Sequence, residues 1–174
     1  MSDLFTHPEG EDPMITDIRT TYLKNNEKNY IGIDIGANGG IVVLSSNGAV
    51  IEVFKMPETR RLLQEKLMPY KDLECFAVLE KIHCRPTNGS KSNFTLGEYK
   101  ERMLYTLELF QIPYEQITPQ SWMKKYFMKK EKTETATQWK NRLKEKALSL
   151  FPKEKVTLWS ADAFLIAYRA LRDY

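Results

Sequence analysis

A chain of 174 residues has the length of one domain with room for a tail, and it can bury a core without covalent staples. Its 26 Lys and Arg against 23 Asp and Glu leave a mild net charge of +3. The two cysteines, Cys75 and Cys84, lack partners at zinc spacing, and no apolar run approaches the ~18 residues of a membrane span.

These features exclude a disulfide framework, a zinc site and a membrane partner. The acidic start has neither the order of a secretion signal nor the composition of a transit peptide, so a reduced, cytoplasmic protein is expected. The charge is unevenly spread. Residues 1–29 hold six acids against three bases, whereas 121–146 hold nine bases against three acids. A basic face on a balanced domain fits a polyanionic partner, and it equally fits a solvated, lysine-rich helix face.

Residues 1–29 show no sustained periodicity and read as an acidic tail or arm, with room for a short helix near 14–24. The domain proper is 30–174. YIGIDIG (30–36), IVVLS (41–45) and AVIEVFKM (49–56) alternate as strands, separated by a glycine turn and by Ser46-Asn47-Gly48, which gives an antiparallel meander. A charged helix is expected over 58–69 and a buried strand over CFAVLEKI (75–82). The polar loop 83–93 then leads into a helix at 94–111, and IPYEQIT (112–118) is a short strand. Pro119 opens a helix through Tyr126, Thr133–Leu150 is a basic amphipathic helix, and Leu158–Leu171 is a helix apolar nearly all round. The predicted fold is α/β, a mixed five-stranded sheet of an antiparallel meander followed by parallel strands, flanked by helices.

Three carboxylates sit where carboxylates are costly. Asp34 lies between Ile33 and Ile35 in the first strand, Glu80 follows Val78 and Leu79, and Asp162 stands between Ala161 and Ala163 in the last helix. Any one of them has an ordinary explanation, a turn cap or an ion pair. A shared cation explains all three at once, and hard oxygen donors without His or Cys favour Mg²⁺ or Mn²⁺.

G-x-D-x-G in the first strand, E-K at the end of a later strand and A-D-A in the last helix, in this order, resemble RuvC-type Holliday junction resolvases of the RNase H-like superfamily, the phage-type branch most closely. EKIHCRP with its Gly/Ser loop (80–92), Phe94–Gly97, IPYEQITPQSWMKK (112–125) and Lys140 placed seven residues before Ala147 extend the resemblance over 30–174. The resemblance implies an RNase H-like fold and a magnesium-dependent endodeoxyribonuclease that resolves four-way junctions by paired nicks. It further implies two metal ions per site, 5′-phosphate products, a homodimer and roles in DNA recombination and repair. Asp34 would bridge the ions, Glu80 hold one and Asp162 the other.

One position departs from the pattern. Such proteins usually carry a fourth acid three or four residues before the helix Asp, where this chain has Trp159 and Leu158; the nearest upstream acid is Glu154. Three acids suffice, or Glu154 reaches in, or the protein binds junctions with little or no cleavage.

For DNA binding, His83, Arg85 and Lys91 in the loop after Glu80 are placed to enter a junction centre. Phe94 is either a stacking wedge or a hydrophobic staple for its helix. Lys124, Lys125, Lys140 and Arg142 are candidate phosphate contacts, with Lys140 also a candidate for catalytic charge stabilisation. Lys81 points away from Glu80, and Trp122 and Trp139 read as core or interface. The helix at 94–111 has apolar surface for a dimer contact as well as for the core. GIDIGANGG also resembles the phosphate loop of sugar-kinase and actin-like ATPases, but that fold needs two lobes and more chain, so no nucleotide cofactor is expected. Other branched DNA is an alternative substrate.

Overall fold

The computed structural model describes residues 28–82 and 89–174. The expected acidic arm through residue 27, and the loop positions His83 and Arg85, lie outside the described residues.

Five strands form one sheet in the order β3-β2-β1-β4-β5: β1 (Asn29–Ile33), β2 (Gly40–Leu44), β3 (Val50–Lys55), β4 (Cys75–Glu80) and β5 (Tyr114–Ile117). The first three make the antiparallel meander, and β4 and β5 join β1 in parallel. The helices are α1 (Arg60–Leu67), α2 (Ser90–Leu109), α3 (Pro119–Lys125), α4 (Ala136–Leu150) and α5 (Ala161–Asp173). This is the RNase H-like mixed sheet.

Strand alternation divides the apolar residues between two cores. Tyr30, Val42, Leu44 and Val78 face α3, α4 and α5, where they meet Trp122, Leu143 and Phe164. Ile31, Ile33, Val43 and Leu79 face α1 and α2, against Leu63, Met103 and Leu107. Central β1 is covered on both sides and buried throughout, with Ile31 and Ile33 on one face and Tyr30 and Gly32 on the other.

Gly32 sets how closely α5 approaches the sheet. A Cβ there would lie 2.2 Å from the Ala167 nitrogen and 2.4 Å from the Ala163 carbonyl oxygen. Both obstacles are backbone, so neither can swing aside. Gly32→Ala is expected to cost roughly 3 kcal/mol or more by forcing α5 off the sheet. A urea melt followed by far-UV circular dichroism checks this; an unchanged midpoint would mean that α5 is not seated on β1.

Several element ends differ from the sequence reading, and three of them bear on the site. β1 stops at Ile33 rather than running through Asp34, because the chain turns at Gly36 (φ 140°); the Asp34 amide still donates to the Gly40 carbonyl at 3.0 Å. The last helix begins at Ala161 rather than Leu158. Thr157 and Ser160 bond to each other there, the Thr157 amide donating to Ser160 Oγ at 2.9 Å, and this holds the backbone in a turn. α2 begins at Ser90, four residues before Phe94. Its first turn faces solvent and so carries no apolar period. Phe94 therefore lies inside the helix and is 71% exposed, which rules out the hydrophobic staple.

α2 and α3 both end in Schellman geometry, with a non-glycine residue at the left-handed position. After α2, Gln111 (φ 55°) donates to Glu108 and Ile112 donates to Leu107. After α3, Phe127 (φ 55°) donates to Lys124 and Met128 donates to Met123.

Candidate active site

The parallel register pairs Gly32 with Val78 and Ile33 with Leu79. Continued by one residue, it sets Asp34 beside Glu80. Both then share the face of Gly32, because side chains alternate along a strand. That is the face α5 covers. The close approach at Gly32 brings the first turn of α5 over the end of β1, and Asp162 occupies that turn. A carboxylate there is favoured by the helix dipole.

A cation already stands among the acids. Lys140, on α4, donates from Nζ to Asp162 Oδ2 at 2.5 Å. Burial alone would lower the Lys140 pKa, but Asp162, with Asp34 and Glu80 behind it, raises it above the ordinary lysine value. The Asp34 carboxyl is held well above the usual range, first by burial and then by the charges of Asp162 and Glu80, with Lys140 working against them. The four groups thus share one electrostatic site. Asp34 and Lys140 line an open cleft of about 650 Å³ with Asn38, Thr137, Leu158 and Trp159.

Among the described residues no three Asp, Glu, His or Cys side chains converge on one point, so a closed single-ion cage does not fit. The arrangement is instead centred on Asp34, with Glu80 on the next strand and Asp162 on the helix. Asp162 Oδ1 is buried and has no hydrogen-bond partner, which is costly for an ionised carboxylate. All donors are hard oxygens. These features fit ions that keep open positions and are each held by few protein ligands.

The positions of the missing fourth acid are also on the cleft. Leu158 is 45% exposed, and Trp159 packs over Gly40, where a Cβ would meet its ring at 2.8 Å. Glu154 lies in the turn after α4, its amide donating to the Phe151 carbonyl. It is not among the charges that shift Asp34.

Trp122 is fully buried in the core, as the sequence reading had it, and it also reaches a candidate site residue. Its indole Nε1 donates to Glu80 Oε2 at 2.9 Å, which fixes the carboxylate from beneath. The signal was present: a buried indole needs an acceptor and a strand-end carboxylate needs a donor. What sequence lacked was the β4–β5 pairing that carries α3 to Glu80. Trp122→Phe keeps the packing and removes the donor. It is expected to cost about 1–2 kcal/mol and to weaken Mn²⁺ binding about tenfold or more. Denaturant melts and a Mn²⁺ titration check both; normal Mn²⁺ affinity would sink the positioning role.

The other predicted DNA contacts are more dispersed. Lys91, in the first turn of α2, lines a second cleft that shares Ala37 and Asn38 with the first. Lys124 is exposed on α3, and neighbouring Lys125 pairs with Asp173 at 3.0 Å. Arg142 is tied to both oxygens of Glu134 at 3.0 Å and lies over the Trp139 ring. Of the apolar residues on the helix expected at a dimer contact, Met103, Leu107 and Phe110 are in the core, whereas Phe94 and Leu109 face outward. No helix among the described residues is long and apolar enough to cross a membrane.

No protein-family model matches the chain, and no curated protein sequence does. Its fold is nevertheless found in solved structures. RuvC of Thermus thermophilus in complex with a Holliday junction substrate superposes with a TM-score of 0.58 at 16% identity, over 80% of this chain and 90% of that one. A second T. thermophilus RuvC structure gives 0.52 at 15% identity, with the same coverage. The likeness shows a RuvC-like form of the RNase H fold.

Proposed function

We propose that the chain is a divalent-metal-dependent endonuclease that resolves four-way DNA junctions by paired nicks. The observation that carries this reading is that Asp34, Glu80 and Asp162 lie near enough at one end of the sheet to perturb one another's charge, with the Lys140 ammonium bonded to Asp162. RNase H-like nucleases of the RuvC form place their acids in these elements, and a junction is what the similar T. thermophilus protein is bound to.

Asp34 and Glu80 would hold one Mg²⁺ or Mn²⁺ ion, and Asp34 and Asp162 the other. The ions would supply charge stabilisation at the scissile phosphate and lower the pKa of a water so that it can lose its proton and attack, releasing the 3′ oxygen as a hydroxyl and leaving a 5′-phosphate. The chain's own residues do the rest. Trp122 fixes the Glu80 carboxylate, and Lys140 places a permanent positive charge beside Asp162. Lys91 adds one positive charge at the neighbouring cleft. A junction has two-fold symmetry and needs two nicks, so the active form is a homodimer acting on DNA in the cytoplasm, with the outward residues of α2 as its contact.

A second reading, a junction-binding protein without cleavage, is favoured by Leu158 and Trp159 at the positions of the fourth acid. Labelled four-way junction, fork and linear duplex, each incubated with Mg²⁺, Mn²⁺ or EDTA, separate the two. Symmetric metal-dependent nicks confined to the junction support the resolvase. Tight junction binding with no nicks in either metal supports the second reading. Equal cleavage of forks moves the substrate to branched DNA in general.

A further inference from the structure

Phe127 is the most exposed large apolar side chain among the described residues, at 98%. Its neighbours on both sides are anchored. Tyr126 and Met128 pack against the core beneath α3, α4 and α5, and the Tyr126 hydroxyl donates to the Leu165 carbonyl at 2.5 Å. The Phe127 and Met128 amides close the Schellman turn onto Lys124 and Met123, at 3.0 and 3.1 Å. The ring is therefore held outward on a fixed turn.

Nothing in the fold asks for this residue there. The position has φ 55°, where glycine is favoured and a side chain is strained, and the ring gains no burial in return. Such an outlier is the kind that function maintains. The surroundings indicate what the ring meets. Between 124 and 132 the chain has five lysines, Lys124, Lys125, Lys129, Lys130 and Lys132, against one acid, Glu131. Lys125 is held by Asp173, while Lys129 and Lys130 are exposed. An exposed aromatic face in a lysine-rich stretch of chain suits a polyanion that also offers flat apolar faces, as a nucleic acid does. In a continuous duplex those faces are stacked away, so only unpaired or unstacked bases can meet the ring.

We propose that Phe127 is a base-stacking residue, a second contact point for unpaired bases of branched DNA besides the Asp34 cleft. The inference rests on the reading that the chain binds branched DNA. Stacking supplies what the phosphate contacts of the lysines cannot, a preference for open over continuous DNA.

Fluorescence anisotropy of the full chain in EDTA tests it, with a four-way junction, an oligothymidine strand and a linear duplex as probes. Phe127→Gly is expected to weaken junction and oligothymidine binding roughly 5- to 100-fold, the effect of one stacked base, and to leave duplex binding unchanged. Its thermal midpoint rises, because the strain and the exposed ring are gone, so lost binding is not lost folding. Phe127→Trp retains the affinity. Unchanged binding by Phe127→Gly, or an equal loss on all three probes, overturns the stacking role and leaves the junction reading standing. If the unaltered protein binds none of the probes, both fall.

Discussion

Asp34→Asn is expected to abolish nicking, by about 10³-fold or more, while junction binding persists. The change is isosteric and removes the charge shared by both proposed ion sites, so the loss falls on the chemical step. Single-turnover nicking in Mg²⁺ measures one effect and anisotropy in EDTA the other. Appreciable cleavage by the variant would end the proposal that Asp34 bridges two ions. The same substitution has an opposite consequence for the metal-free fold. Burial and the charges of Asp162 and Glu80 hold the Asp34 pKa well above its unfolded value of 3.8. The native state therefore binds this proton more tightly than the unfolded chain does. Stability from Asp34 is present at low pH and is lost as pH rises from the unfolded value through the raised native one. In EDTA at neutral pH, Asp34→Asn should then melt higher than the unaltered protein, by roughly 2–4 °C per kcal/mol of relieved repulsion. The gap should close toward pH 4. A lower midpoint for the variant at neutral pH would mean that the acids are not crowded as described.

Lower activity with higher stability would mark a site rather than a core, and the distinction bears on what could be read from the sequence. The sheet was legible because period-two alternation and a glycine turn are local signals, and β1 through β3 are joined by short connections. The three acids were legible because each is flanked by Ile, Leu or Ala, which makes a carboxylate conspicuous. Their placement at the same end of the sheet was not. It depends on the Ile33–Leu79 register and on the fit of α5 over Gly32, which are long-range facts. Trp122 escaped for the same reason: its partner lies 42 residues away across a strand pairing. Phe127 escaped because a polar, lysine-rich stretch reads as loop, and only the backbone shows that an aromatic takes a glycine's place there. The resemblance supplied Lys140 as a residue on a pattern; its bond to Asp162 came from geometry.

Lys140→Ala is expected to act on stability in the direction opposite to Asp34→Asn. Lys140 is 43% exposed at its side chain, so solvent screens the pair and an exposed bridge alone would contribute only ~0–1 kcal/mol. Asp162 is different, with 8% of its side chain exposed and Oδ1 already without a partner. Deleting the ammonium leaves Oδ2 in the same state and three acids with no cation among them. The net cost in EDTA is about 1–2 kcal/mol. The raised Lys140 pKa means that this contribution is fully present below the unfolded value of 10.5 and is lost only as pH rises through the higher native value. The loss should therefore persist across neutral pH, and it should grow as Asp34 ionises, because Lys140 also offsets that charge. Added Mg²⁺ should narrow it, since a divalent cation replaces the missing charge. Nicking should still fall about 10²-fold if, as proposed, the Lys140 charge lies beside the reacting phosphate. Thermal melts with and without Mg²⁺, beside single-turnover rates, read all three. A variant that loses stability and regains it in Mg²⁺ but nicks at the normal rate would leave Lys140 as a stand-in cation for the empty fold alone. One that nicks slowly but folds normally in EDTA would place its charge on the DNA rather than on Asp162.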